Sequence, residues 1–444
     1  MDPKRRSFMK RAALLASVGA ADIQFPFILP NRHKGLPPSD QVNLGLIGCN
    51  NRGFHVLLNH LKVEGVNCVA LCDCDAKVLK KRSRDLVMAG YAQPVLYEDF
   101  RHLLEQKDID AVIIGTPDHW HCLPTVFACE LGKDVYVEKP MANSIEECNV
   151  MVKAARKYAR VVQVGQQQRS SEVWNQVMQY LASGKLGQIQ KTNVWGNFNY
   201  GLGPKRQSDS QVPEGVNYDL FLGPASKRPF NDARYHGSWR FFWDYGGGLV
   251  TDWGVHLLDM ALWAKNIQIP ASSVLAAGTQ IESAERMRET FDTMTATFNY
   301  PGYMVHWENN AGKQIGPFGR HYGVAFVGEN GTLVADRSKW EVLPEWDEQK
   351  KATKIAPVPA TQGANGHVKH PENFIHCVKS REEPVCPVEV GRAVAINAHM
   401  ANIAVRSGQG FLIWDDQKNR FSNSRMASKL IKPNYRKPWI FPKV

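Results

Sequence analysis

The residues between Val42 and Asp73 constrain the fold of this chain more than any others. Val42-Asn43-Leu44-Gly45-Leu46-Ile47-Gly48 is an apolar run of the buried-strand kind. Cys49-Asn50-Asn51-Arg52-Gly53 follows, then a helical stretch from Phe54 to Leu61. A second strand, Cys68 to Cys72, ends in Asp73. Strand, glycine turn, helix and strand in this order is the setting in which such a turn binds a dinucleotide. Gly48 makes the tight turn, and Gly53 lets the helix pack close. The helix N-terminus then offers free N–H groups and a positive dipole end to a pyrophosphate. Asn50 replaces the usual middle glycine; asparagine tolerates left-handed backbone, so the turn can survive. Asp73 can accept hydrogen bonds from both ribose hydroxyls of an adenosine and would repel a 2′-phosphate. That favours NAD over NADP. Arg52 beside the turn could meet a phosphate.

The alternation continues down the chain. Asp99 to Glu105 reads as helix, and Asp110 to Gly115 as a third buried strand ending at Thr116-Pro117. Helix Leu123 to Leu131 leads to strand Asp134 to Val137, which stops at Glu138-Lys139-Pro140. Helix Ile145 to Tyr158 leads to strand Val161 to Gly165. Strands and helices at this spacing predict a doubly wound parallel sheet, whose ligands bind at the carboxyl ends of the strands. Thr116, Lys139 and Gln166 to Arg169 lie at those ends.

The chain has 444 residues, room for two domains. Its net charge of +11 is concentrated at the ends. Residues 1–20 carry five basic side chains and one acidic, and residues 418–444 carry eight basic and none acidic. The body is close to neutral, which argues against a nucleic-acid groove. The basic tail also holds Pro433, Tyr435, Pro438, Trp439, Phe441 and Pro442, and reads as a packed extended arm or a loose basic end. Lys4-Arg5-Arg6-Ser7-Phe8-Met9-Lys10, followed by the apolar run Ala12 to Ala21, reads as a twin-arginine export signal. That pathway carries proteins already folded, often around a cofactor, and the expectation is a periplasmic or otherwise exported protein. No apolar run reaches the roughly 20 residues of a membrane-spanning helix. Nine cysteines without paired spacing argue against a disulfide framework. Cys68, Cys72 and Cys74 read as small buried side chains rather than a zinc cluster.

Three motifs carry a resemblance. Thr116-Pro117-Asp118-His119-Trp120-His121, Glu138-Lys139-Pro140, and Gly246-Gly247-Gly248 followed by Asp252-Trp253-Gly254-Val255-His256 occur in this order. The chain resembles the Gfo/Idh/MocA oxidoreductases, named for glucose–fructose oxidoreductase and inositol dehydrogenase. The resemblance implies an α/β fold: an N-terminal Rossmann domain plus a C-terminal α/β domain with a large open, mainly antiparallel sheet. That sheet implies a homo-oligomer, a dimer or tetramer. Strands Gln190–Trp195, Thr293–Tyr300, Met304–Glu308 and Gly323–Val327 would contribute to it. The implied division is a signal peptide over 1–21, an arm over 22–40, the NAD-binding domain over 41–166, a substrate and oligomerisation domain over 167–417, and the basic arm over 418–444.

The resemblance also implies that Lys139, Asp252 and His256 form the catalytic group. By position, Gly48, Asn50, Asn51, Arg52, Asp73, Thr116, Pro117, Asp118, His119, Trp120, His121, Glu138, Lys139 and Gln167 are the NAD contacts. The residues themselves suit this chemistry. Asp252 and His256 are four apart at the start of an apolar helix, Val255 to Trp263, and so share one face. A capping Asp beside a core His is the alternative reading. Gly246 to Gly248 would let backbone approach a ligand. Oxidising an alcohol needs a base, which His256 or Lys139 could be, and a donor for the alkoxide oxygen. Lys139 precedes a proline, so that bond is a candidate for cis geometry. The Asp118 to His121 cluster reads as cofactor wall rather than metal site. In the aromatic stretch around the site, Arg240, Trp243 and Tyr245 are the candidate substrate contacts, suited to a sugar.

The expected activity is hydride transfer between a tightly bound NAD and a hydroxyl of a sugar or glycoside. One rival is NAD-dependent glycoside cleavage by oxidation and elimination. The N-acetylgalactosaminidases that work this way carry a different acidic triplet and a Tyr-Pro-Thr-His pattern, both absent here. A second rival is a non-catalytic NAD- and sugar-binding protein, against which the intact Lys139, Asp252 and His256 argue.

Overall fold

The computed structural model describes residues 40–444. The expected export signal and most of the arm that follows it lie outside the described residues. Six parallel strands form the first sheet: β1 (Val42–Ile47), β2 (Val66–Cys72), β3 (Val95–Tyr97), β4 (Ala111–Ile114), β5 (Asp134–Val137) and β6 (Val162–Val164). Their order is β3-β2-β1-β4-β5-β6, the doubly wound order whose switch point lies between β1 and β4. The strands read as near-continuous apolar runs because helices cover both faces. β4 and β5 are buried at every residue. Helix Asn51–His60 follows β1 and helix Ile145–Lys157 follows β5. The latter is capped by Ser144, whose Oγ accepts from Glu147 N, with Glu146 and Glu147 in its first turn.

The second sheet has ten strands. They are β7 (Ile189–Gly196), β8 (Ser273–Thr279), β9 (Thr293–Tyr300), β10 (Tyr303–Asn310), β11 (Tyr322–Gly328), β12 (Gly331–Ala335), β13 (Lys339–Pro344), β16 (Val358–Gln362), β17 (Phe411–Asp415) and β18 (Arg420–Phe421). A two-stranded ribbon, β14 (Trp346–Asp347) with β15 (Ala352–Thr353), stands apart. The sheet runs β16-β13-β12-β11-β7-β10-β9-β8-β17-β18. All its pairs are antiparallel except β7 with β10. β9 and β10 alternate buried with partly or fully exposed residues, as expected of a sheet with one covered face.

Two late helices return to the first domain. Lys369–Ser380 seats Phe374, Ile375 and Cys377 in one apolar cluster with Leu57 and Tyr136. Val388–Arg406 shares the main core with residues of both domains. The basic tail is packed on its own chain. Trp439 meets Trp120 edge to face at 4.8 Å, Tyr435 donates to Glu147 at 2.6 Å, and Arg436 pairs with Asp219 at 2.8 Å. Among the described residues no helix is long and apolar enough to cross a membrane. All nine cysteines are free thiols, and all but Cys74 are buried.

Candidate active site

The turn after β1 is built for close approach. Gly48 has φ +86°, and a Cβ there would lie 2.6 Å from Thr116 N. A Cβ on Gly53 would lie 2.0 Å from the Gly48 carbonyl oxygen. Helix and strand therefore touch through backbone at this point, which only glycine permits. Asn50 is not left-handed, as its place in the turn suggested; it is extended (φ −77°), and its side chain accepts from Asn51 N. The positive φ falls on Asn51 instead. Asn50 thus acts as a helix cap, a role asparagine also fills.

Asp73, at the end of β2, turns back to the same place. Its Oδ2 accepts from Cys49 N at 2.7 Å, and its Oδ1 from Asp75 N at 3.0 Å. Burial raises its carboxyl above the usual range, against these two hydrogen bonds. A tight turn, a helix N-terminus and a half-buried strand-end carboxylate fit a dinucleotide whose adenosine ribose is free of phosphate. Arg52 pairs with Glu138 at 3.0 Å. Glu138 also accepts from Gln167 Nε2 at 2.9 Å, and Gln167 contacts the Tyr136 hydroxyl at 2.9 Å. Burial alone would raise the Glu138 carboxyl, but Arg52 and Lys139 hold it below its ordinary value.

The Thr116 to His121 segment divides. The His121 ring is wedged between the carbonyl oxygens of Pro140 (2.7 Å) and Thr116 (3.0 Å), tying the loop after β4 to the loop after β5. Asp118 is buried beside Arg240 and Lys139; burial pushes its carboxyl well up against the pull of these cations. His119 and Trp120 use their polar atoms elsewhere. His119 Nε2 meets Phe221 O at 3.0 Å, and Trp120 Nε1 donates to Leu220 O at 2.9 Å. Both anchor the segment around helix Tyr218–Leu222.

Lys139 follows β5 after Glu138, and the Lys139–Pro140 peptide is cis. Lys139 Nζ lies 2.5 Å from Asp252 Oδ1 and 2.9 Å from the Asp252 carbonyl oxygen. Arg240 Nε reaches the same Oδ1 at 3.2 Å, and the Tyr200 hydroxyl donates to Oδ2 at 3.3 Å. Burial would raise the Asp252 carboxyl, yet Lys139 and Arg240 hold it far below the ordinary range. Asp252 sits in a π-helical turn, Val250–Gly254, that feeds helix Val255–Trp263. It is therefore not a cap. Such widened turns recur at functional sites. His256 follows in the first α-helical turn, is 7 % exposed, and has a buried Nδ1 with no partner among the described residues. Burial, then Arg337 and Lys139, push it well below the usual histidine value.

The Gly246 to Gly248 run does not form an open approach. A Cβ on Gly247 would lie 2.6 Å from Thr251 Cγ2, and one on Gly248 (φ +73°) 2.7 Å from Thr290 Cβ. These glycines let loop and helix pack on neighbouring side chains. Of the candidate substrate contacts, Arg240 reaches the Asp252 cluster. Tyr245 is fully buried against His119 and Phe221, and Trp243 packs on Phe291 beneath the Arg406 guanidinium. Sequence reasoning missed Arg337, whose guanidinium stacks 4.1 Å over the Trp253 ring, and placed Tyr200 only in the aromatic stretch around the site, without a role. Among the described residues no three metal-ligating side chains converge.

Residues 42–166 match the family model for the oxidoreductase NAD-binding Rossmann fold, and residues 175–441 that for the oxidoreductase C-terminal α/β domain. A protein from Shewanella baltica named glycosyl hydrolase family 109 protein is 34% identical over 169 residues, 34% of this chain and 37% of the relative. The match thus spans little more than a third of that relative's length. Among solved structures, levoglucosan dehydrogenase in complex with NADH and levoglucosan superposes with a TM-score of 0.64 at 18% identity, covering 84% of this chain and 99% of the other. Aldose-aldose oxidoreductase from Caulobacter crescentus, complexed with glycerol, gives 0.63 at 19% identity over 84% and 100% of the two chains. These two likenesses concern the fold. With both family domains matched in order, the chain belongs to the Gfo/Idh/MocA oxidoreductase family, built on an NAD-binding Rossmann domain.

Proposed function

We propose that this protein transfers hydride between a tightly bound NAD and a hydroxyl-bearing carbon of a sugar or glycoside. The observation that carries the reading is the Lys139–Asp252 ion pair, with buried His256 one helical turn beyond Asp252 and under the influence of Lys139, in a chain whose Gly48 turn is shaped for a dinucleotide. NAD, held by the Gly48 to Arg52 turn and by Asp73, would supply the hydride acceptor. Lys139 would donate an N–H to the substrate oxygen and stabilise it as negative charge develops. Asp252 would hold the Lys139 ammonium in place. Neutral His256 would take the hydroxyl proton as the hydride leaves the adjoining carbon. Lys139 is committed as a donor to Asp252, which favours His256 as the base.

The sugar class is supported by the substrate names of the neighbouring structures. The name of the Shewanella relatives supports a second reading, glycoside cleavage in which a transient oxidation leaves no net redox change. We expect a homo-oligomer joined through the large sheet, whose outer face exposes Leu275, Met304, Leu343, Phe411 and Ile413. We also expect export on the twin-arginine signal at Lys4 to Lys10. Sugars and glycosides added to protein purified with its cofactor test the reading. Reduced nicotinamide with a product lighter by two hydrogens means net oxidation. Aglycone release without net cofactor change means the redox-neutral path. Neither signal from any substrate would overturn both.

A further inference from the structure

Arg337 reaches the site from the turn between β12 and β13, and part of its hydrogen-bonding capacity is unused. Its guanidinium lies 4.1 Å over the ring of Trp253, the residue after Asp252, and 5.9 Å from the Tyr322 ring. Stacking uses the face of the cation and leaves its in-plane donors free. Nε and Nη2 are both shielded from solvent and have no hydrogen-bond partner among the described residues. The adjacent Asp336 does not serve them. Its Oδ2 takes Arg320 at 2.8 Å, and its Oδ1 takes Ser338 N at 2.7 Å.

The Nε and Nη2 edge is the fork that grips a carboxylate side-on. Arg169 uses the same edge on Asp259 in this molecule, at 2.9 and 2.8 Å. The charges around Arg337 point the same way. Lys139 and Arg240 already share Asp252, and Arg52 is paired with Glu138. A shielded cation without a hydrogen-bonded anion is costly, and a ligand that supplies the anion relieves that cost.

We propose that Arg337 recognises an anionic substituent on the sugar, a carboxylate or an oxyanion ester such as sulfate or phosphate. This rests on the reading of the site as a sugar oxidoreductase. The substrate side is favoured because Arg337 belongs to the C-terminal sheet and stacks on the turn that carries Asp252 and leads into His256. The pyrophosphate turn lies in the other domain.

The test is calorimetry on the NAD-loaded protein with glucose, glucuronate, galacturonate, glucose 6-sulfate and glucose 6-phosphate. At least one anionic sugar should bind ten-fold or more tighter than glucose, and the ester or acid that does so names the group. Arg337→Ala and Arg337→Gln should lose roughly 10- to 100-fold for that ligand and under two-fold for glucose. Arg337→Lys should recover part of the loss, and it serves if the shorter side chains impair folding. The proposal is overturned if charged and neutral sugars bind alike. It is also overturned if the variants weaken both equally, or shed NAD with sugar binding unchanged, which would place the fork on the cofactor. Failure of the underlying reading looks different: an anionic sugar would bind through Arg337 and never alter the bound nicotinamide.

Discussion

Lys139 Nζ lies 2.5 Å from Asp252 Oδ1 across 113 residues of chain, joining the end of a Rossmann strand to a π-helical turn of the second domain. One ion pair thus fastens the two domains at the candidate site and ties together two members of the proposed catalytic group. Asp252 keeps its charge in a buried place because Lys139 and Arg240 both face it.

Breaking that pair should separate chemistry from cofactor binding. Asp252→Asn should fold and retain NAD, yet lose ~10²-fold or more in hydride transfer, because Lys139 is no longer held on the substrate oxygen. Lys139→Ala should lose at least as much in rate. It should also lose about 1–3 kcal/mol of stability, since a shielded carboxylate loses a hydrogen-bond donor and keeps only Arg240 as its close cation. Single-turnover absorbance and urea unfolding measure both. Unchanged rates in Asp252→Asn would make the pair purely structural.

His256 should set the acid behaviour. Burial and the cations Arg337 and Lys139 push it well below the usual histidine value, so it stays neutral as pH falls through 6.5. The rate should therefore hold on the acid side of neutrality and fail only well below that value. His256→Asn should cost ~10²-fold or more. An acid limb centred near pH 6.5 in the native protein and absent from the variant would contradict the burial argument.

Asp73 should decide the cofactor. Protein purified with its ligand should release NAD on denaturation. Asp73→Ala should weaken NAD binding by about 1.5–3 kcal/mol, the scale of a hydrogen bond to a charged group. Dissociation constants for NAD and NADP in both proteins test this. Release of NADP alone from the native protein would reject the role of Asp73.

The docked tail carries a pH signature. Tyr435 donates to Glu147, whose buried carboxyl is pushed up to about 7 by desolvation, partly offset by this bond and by Ser144. The folded state therefore holds a proton that the unfolded chain releases near the ordinary glutamate value. This contribution is complete below about 4.5 and is lost as pH rises through about 7. Comparing wild type with Glu147→Gln isolates it. Their stability difference should change by roughly 3 kcal/mol between those limits. A difference independent of pH would refute it.

Five of the six parallel strands were legible as apolar runs with turn residues at their ends, where Asp73 and the Glu138-Lys139 pair are the first polar residues; the short edge strand Val95–Tyr97, largely exposed, was not. The helix Val255–Trp263 was legible from its apolar stretch. Much of the rest depends on long-range contact. Nothing in sequence marks Arg337, which comes from a turn between two strands of the far sheet. His119 and Trp120 belong to a motif that looks like a ligand wall, but their hydrogen bonds go to residues about a hundred positions later. The π-helical turn under Asp252 also escapes a reading based on 3.6-residue spacing.

Hydride transfer itself can be followed with label. NAD-loaded protein is mixed with sugars and glycosides fully deuterated at carbon, quenched at successive times within the first turnover, and its cofactor weighed by mass spectrometry. The account predicts one deuterium on the nicotinamide ring in the native protein, and none in Lys139→Ala or His256→Ala although both keep NAD. Conversion of a sugar by the native protein with its cofactor unlabelled would contradict it.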